Sequence, residues 1–107
     1  MGGEVEFIRT LSEEGLDRIR VIAEKEKGVI LSFVVQYEAL INNKWREIIR
    51  YDTRHGFAHK DVIHPNGKKD KQPLFIQDYN AAFTFAMDDL KTSWAWYRRG
   101  YEMELGL

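Results

Sequence analysis

The chain has 107 residues, 44% of them hydrophobic, and a formal net charge of −1, which suits one domain over residues 1–107 with a single core and excludes a domain that holds polyanions by net charge alone. Cysteine is absent, so disulfide scaffolding and thiolate chemistry are excluded and His, Asp and Glu remain as candidate metal ligands. No run approaches the roughly 18 apolar residues of a membrane span, and Met1-Gly2-Gly3-Glu4-Val5-Glu6 lacks the basic-then-apolar order of a signal peptide, so the expectation is a soluble, cytoplasmic protein with no membrane partner.

Residues Glu4 to Leu11 alternate loosely and predict a short first strand. Ser12 to Lys27 fits two patterns. Leu16, Ile19, Ile22 and Ala23 match a helical stripe behind a Ser12 cap, whereas Ile19, Val21 and Ala23 match a strand. Gly15 and the β-branched Ile19, Val21 and Ile22 favour the strand, with Glu24-Lys25-Glu26-Lys27-Gly28 as a charged turn behind it. Val29 to Ile41 is the clearest strand. Val29, Leu31, Phe33, Val35, Tyr37 and Ala39 are assigned to one face and Ile30, Ser32, Val34, Gln36 and Glu38 to the other. Apolar residues on both faces predict a central position.

Asn42-Asn43 tolerates left-handed backbone and predicts a tight hairpin into Lys44 to Asp52. There Trp45, Ile49 and Tyr51 share one face, and Arg46, Ile48, Arg50 and Asp52 the other. Thr53-Arg54-His55-Gly56 reads as a reverse turn and Phe57 to His64 as the returning strand, stopped by Pro65-Asn66-Gly67. A simple turn pairs Asp52 with Phe57 and Arg50 with His59. Arg50, Asp52, His59 and Asp61 then point to one side of the sheet, and a bulge at Gly56 would scatter them. A basic loop follows over 65–74. Then Ile76, Tyr79, Phe83, Ala86, Leu90, Trp94, Tyr97 and Tyr101 recur at helical spacing and predict a helix over about 76–103 that packs on the sheet, with Asp78 at its start. Gly100 is a place for it to end or fray, and Phe85 and Trp96 lie off the stripe. The predicted fold is α+β: an antiparallel meander of four or five strands over about 4–64, covered on one face by a long C-terminal helix.

The candidate site is Arg50 to His64, which contains all three histidines. His55, His59 and Asp61, with His64 behind, offer donors for a divalent metal, but their spacing converges only in a folded-back loop. Alternatively, His59 is a general base or acid, Asp61 or Asp52 orients it, and Arg50 holds a phosphate or stabilises developing negative charge, as in metal-free ribonuclease chemistry, with His55 counted among the catalytic residues. On that reading Arg54, Lys60, Lys68, Lys69 and Lys71 would bind RNA, and no metal or cofactor is assigned. A third reading makes the hairpin architectural, with Arg50 and Asp52 as a locking ion pair. Phosphate-loop, dinucleotide-fold, hydrolase-elbow and zincin motifs are absent from the sequence.

The run Arg50-Tyr51-Asp52-x-x-His55-Gly56-x-x-His59 resembles the signature of the TumE-like proteins, small α+β proteins encoded as the toxin half of toxin–antitoxin pairs. With Asp61 added, it is also similar to a group of small uncharacterised proteins carrying R-Y-D-x-x-H-G-x-x-H-x-D. The similarity covers Val34 to Pro65. Thr53 replaces the Asn usual in the toxin-like pattern. The resemblance implies an RNA-directed role with a protein antitoxin as partner. The alternative is a non-enzymatic interaction module, self-associating as a homodimer through the helix face that carries Phe85 and Trp96.

Overall fold

Six segments form strands, β1 (Gly3–Thr10), β2 (Asp17–Glu26), β3 (Val29–Ile41), β4 (Lys44–Asp52), β5 (His59–Ile63) and β6 (Lys69–Pro73), of which β2 to β5 carry alternating apolar and polar side chains. The computed structural model describes residues 2–107. The strands form one antiparallel sheet in sequence order, and a single long helix, α1 (Tyr79–Leu105), follows them. This is the predicted α+β meander with a covering helix, with one more strand than the upper count.

Two-residue turns set the long hairpins. Lys27 and Gly28, and then Asn42 and Asn43, all have positive φ, the backbone that matches the twist of antiparallel partners. Segment 12–27 contains the strand and not the helix. Its entry is closed by the Ser12 hydroxyl, which accepts the Leu16 amide at 3.1 Å.

Two bulges reassign faces within β3 and β4. Glu24 pairs with Ser32 but Lys25 with Ile30, so Leu31 is the extra residue. Ile30 therefore turns into the core, while Val29 and Leu31 are exposed, correcting the face assigned to them. Likewise Tyr37 pairs with Ile49 but Glu38 with Glu47, leaving Ile48 extra. Ile48 and Ile49 are both buried, and Glu47 reaches the Gln36 amide at 3.3 Å on the other face. Trp45 crosses to that face too, beneath the Arg18 guanidinium 3.7 Å from its ring.

The expected basic loop holds the edge strand β6, whose five residues are all exposed. Helix α1 starts at the Asp78 cap, whose carboxylate accepts the Asn80 amide at 2.8 Å. It runs through Gly100 and stops at Gly106, whose φ of 82° closes the last turn. Gly100 leaves the ladder unbroken because helical backbone costs glycine only about 1 kcal/mol relative to alanine, and Tyr101, immediately after it, is buried in the core.

One face of the sheet carries Ile19, Val21, Phe33, Val35, Tyr37 and Ile49, and α1 buries them under Ala82, Ala86 and Leu90. Polar ties fix the helix at both ends. Asn80 accepts the Ile30 amide at 2.8 Å and donates to the Gly28 carbonyl at 3.1 Å. Arg98 donates to Asp17 at 2.9 Å and to the Leu40 carbonyl at 3.0 Å. Asp17 also accepts the Tyr37 hydroxyl at 2.5 Å. The second face has no helix over it, and the site lies there.

Candidate functional site

The connection from β4 to β5 decides which side chains meet. Asp52 pairs with His59 and Arg50 with Asp61, so the connection is two residues longer than the simple turn that would pair Asp52 with Phe57. An even shift preserves side-chain direction. Arg50, Asp52, His59 and Asp61 therefore share the helix-free face as expected, with different partners. The extra residues form a 3-10 turn, Arg54–Gly56, in which His55 and Gly56 have φ of 73° and 84°. Asp52 secures this turn by accepting the Arg54 amide at 3.0 Å.

At the centre, the Asp52 carboxylate receives Arg50 Nε at 2.9 Å on one oxygen and His59 Nε2 at 2.9 Å on the other. Arg50 continues to the Gln36 side chain at 3.2 Å. Gln36 in turn donates to Glu38 at 2.6 Å, where Arg18 and Arg20 also converge. Burial pushes the Glu38 carboxyl upward, but the hydrogen bonds from Arg18, Gln36 and Arg20 outweigh it and hold the group below its ordinary value. A charge network thus runs across β2, β3 and β4. Gln36, Glu38, Arg18 and Arg20 are members that the sequence reading left out, although Arg18 and Arg20 alternating with Ile19 and Val21 on β2 is the signal of a polar second face.

Burial on this face is deep. His59 is 1% exposed, Asp52 4% and Asp61 5%. The cover comes from the turn: the His55 ring stacks on His59 with centroids 6.3 Å apart, and Phe57 lies 5.6 Å away. His55 itself is exposed, so of these two imidazoles it is the one a solvent-borne ligand touches, and His59 stands behind it. Asp61 contrasts with Asp52. Its only charged partner within 4.0 Å among the described residues is His59 Nε2 at 3.9 Å, and its Oδ1 is buried without a hydrogen bond, as is His59 Nδ1. Beside Asp52 a groove of about 260 Å³ is lined by Arg50, Thr53, Arg54, Ile22, Val34 and Glu24.

The expected RNA-binding cations do not form one patch. Arg54 borders the groove. Lys69 and Lys71 lie on the exposed edge strand opposite Ile63 and Asp61, on the site's face, and Lys68 is in the turn before it. Lys60 points the other way, since its neighbours His59 and Asp61 face the site. Its Nζ donates to the Tyr97 hydroxyl at 2.6 Å beneath α1. Tyr97 and Tyr51 both donate to Asp89 at 2.6 Å. Burial lowers the Lys60 amine from its ordinary value, with Asp89 partly restoring it. Burial and then the Asp89 bond raise both tyrosine hydroxyls, which stay protonated. His64 also stands apart, half-buried between Glu104 at 2.8 Å and Asp70 at 2.7 Å.

The open helix face carries Trp96, 77% exposed, while Phe85 packs edge-on against Tyr51 at 6.2 Å. No described helix is long and apolar enough to cross a membrane.

Against known proteins, a family model described as a domain of unknown function (DUF7718) matches residues 2–107. No curated protein and no solved structure matches the chain.

Proposed function

The chain belongs to the DUF7718 family, and we propose that it is an RNA-directed protein of the toxin–antitoxin kind, acting at the groove beside Asp52. One observation carries the reading: the adjacent strands β4 and β5 bring Arg50, Asp52, His59 and Asp61 together on one face, the two carboxylates and His59 buried, with His55 exposed over them and Arg54 at the rim of the groove. The resemblance of Arg50-Tyr51-Asp52-x-x-His55 to the TumE-like signature points the same way.

In this reading Arg54, which has no ion-pair partner among the described residues, and the outer edge of Arg50 hold a backbone phosphate in the groove. His55 accepts the proton of a ribose 2′-hydroxyl as its oxygen attacks the adjacent phosphorus and the bond to the 5′-oxygen breaks, the 5′-oxygen taking a proton from water and a 2′,3′-cyclic phosphate remaining, with general-base help of the order of 10²–10⁴-fold. His59, too buried to touch RNA, positions His55 by stacking, and Asp52 fixes the His59 ring. Lys69 and Lys71 stand apart from the groove, on the edge strand of the same sheet. A protein antitoxin would act by covering the groove.

The test is binding and cleavage of total cellular RNA by the purified chain at about 0.15 M salt, where exposed charges are screened beyond roughly 8 Å. Wild type should bind. Arg54→Ala should weaken binding and lower the salt slope by about 1, and His55→Ala should bind but not cleave. Absence of RNA binding by the wild type would reject the proposal.

A second reading, self-association through α1, is supported by Trp96 and Met103, both exposed on the helix. There the groove is architecture and a homodimer is the functional unit.

A further inference from the structure

Asp61 is the least explained charge in the protein. It is 5% exposed, and one of its carboxylate oxygens has no partner. Its cross-strand neighbours are Arg50 and Lys71, yet Arg50 is turned to Asp52 and Gln36 and Lys71 is exposed on the edge strand without an ion pair to it. A buried carboxylate that is neither paired nor hydrogen-bonded costs several kcal/mol. Buried carboxylates are retained where something pairs with them.

Asp52, His59 and Asp61 offer one donor atom each within 4.8 Å of one another, all three buried. His59 Nε2 is 2.9 Å from Asp52 Oδ1 and 3.9 Å from Asp61 Oδ2. Ligands at about 2.1 Å from a divalent transition ion stand roughly 3.0 Å apart at right angles and roughly 3.4 Å apart in a tetrahedron. The two separations that involve His59 bracket those values, and the third, between the two carboxylates, is within 4.8 Å, so it is movement of the Asp61 side chain towards the other two that converges the donors. We propose that Asp52, His59 and Asp61 form a binding site for one divalent first-row transition cation, of the manganese, iron or zinc class.

Two carboxylates and one imidazole, without sulfur, select that class: the oxygens suit the harder ions and the imidazole the later ones. The cation supplies the positive charge that Asp61 lacks. Coordination at Nε2 replaces its hydrogen bond to Asp52 and leaves the ring proton on Nδ1, which has no partner in this arrangement. Three protein ligands leave coordination positions unfilled, and of the three Asp52 lines the groove. The expected metal set of His55, His59, Asp61 and His64 is thus replaced by another: Asp52 enters it, and His64 is held elsewhere by Glu104 and Asp70. The proposal goes beyond the nucleic-acid reading, since it concerns the cluster itself whatever the groove binds.

The experiment is titration of MnCl₂ and, separately, ZnCl₂ into the full chain stripped with a chelator, read by calorimetry and by thermal melting, with pulsed electron paramagnetic resonance on the Mn²⁺ form. One cation per chain, a raised Tm and nitrogen hyperfine coupling from a single imidazole are expected. Asp61→Asn should weaken binding at least tenfold, and its cation-free Tm should equal or exceed that of wild type, because the uncompensated charge is gone. His64→Ala separates this site from the exposed His64/Asp70/Glu104 cluster and should bind like wild type. No binding, no nitrogen coupling in the wild type, unchanged affinity in a folded Asp61→Asn variant, or loss of the cation in His64→Ala would each overturn the proposal. The wild-type resonance measurement decides the matter should Asp61→Asn fail to fold.

Discussion

Replacing Asp52 by alanine separates a buried constellation from an ordinary surface ion pair. Asp52 accepts Arg50 Nε and His59 Nε2, each at 2.9 Å, and the Arg54 amide at 3.0 Å, while 4% exposed. An exposed pair on neighbouring strands contributes about 0–1 kcal/mol. Removing one partner of a buried pair costs about 3–5 kcal/mol, because the other partner stays behind unpaired. The side chain of Arg50 is 24% exposed and regains some water, whereas that of His59 is 1% exposed and does not, so the low end applies, about 3 kcal/mol. Against a total stability of about 5–15 kcal/mol for a domain, that is a large fraction. It corresponds to a fall in Tm of about 12 °C or more for a chain of this size. Urea unfolding at neutral pH with a chelator present measures the loss free of any cation, and an unchanged slope would show that the unfolded reference is the same. A loss below about 1 kcal/mol would return the hairpin to the status of a surface ion pair.

The remaining expectations concern other parts of the molecule. Arg98→Met should cost about 3 kcal/mol in urea unfolding, since it strips buried Asp17 of its cation; a loss under about 1 kcal/mol would contradict the clamp. Hydrogen bonds to Glu104, then to Asp70, raise the His64 imidazole above its ordinary value. Its contribution to stability should be complete below about pH 6.5 and disappear as pH rises through the folded value. The Tm gap between wild type and His64→Ala should accordingly be widest near pH 5.5 and close on the alkaline side, and a pH-independent gap would contradict this. Trp96→Ala should leave stability within about 0.5 kcal/mol of wild type. If α1 is a dimer seam, the same change should abolish the dimer in sedimentation; a wild type that sediments as a monomer removes that reading.

How much of this was legible in the chain follows from which features have local signals. Alternation in β3, the Asn42-Asn43 turn and the helical stripe from Tyr79 to Tyr101 each depend on near neighbours, and each was readable. The site residues were readable as a group because period-two parity survives an even change in turn length: moving the partner of Asp52 from Phe57 to His59 left Arg50, Asp52, His59 and Asp61 on one face. The same parity would have shown that Lys60 leaves the patch. The bulges at Leu31 and Ile48 had no such signal, since an extra residue in one strand is defined by the partner across the ladder. Strand β6 was hidden for another reason. Lys69-Asp70-Lys71-Gln72-Pro73 is an edge held by backbone pairing to β5, with no apolar alternation to announce it. Burial of His59 was equally hidden, because its cover is the 3-10 turn and not another layer of the fold.

Growth is the readout for the proposed RNA-directed, toxin-like function of the Arg50/Asp52/His55/His59/Asp61 cluster. Cells induced to make the wild type are compared with cells making a His55→Ala/His59→Ala variant at equal soluble yield. The wild type should arrest growth with cleaved RNA in the arrested cells, and the variant should do neither. Equal growth of both cultures, or arrest by both, would contradict that function.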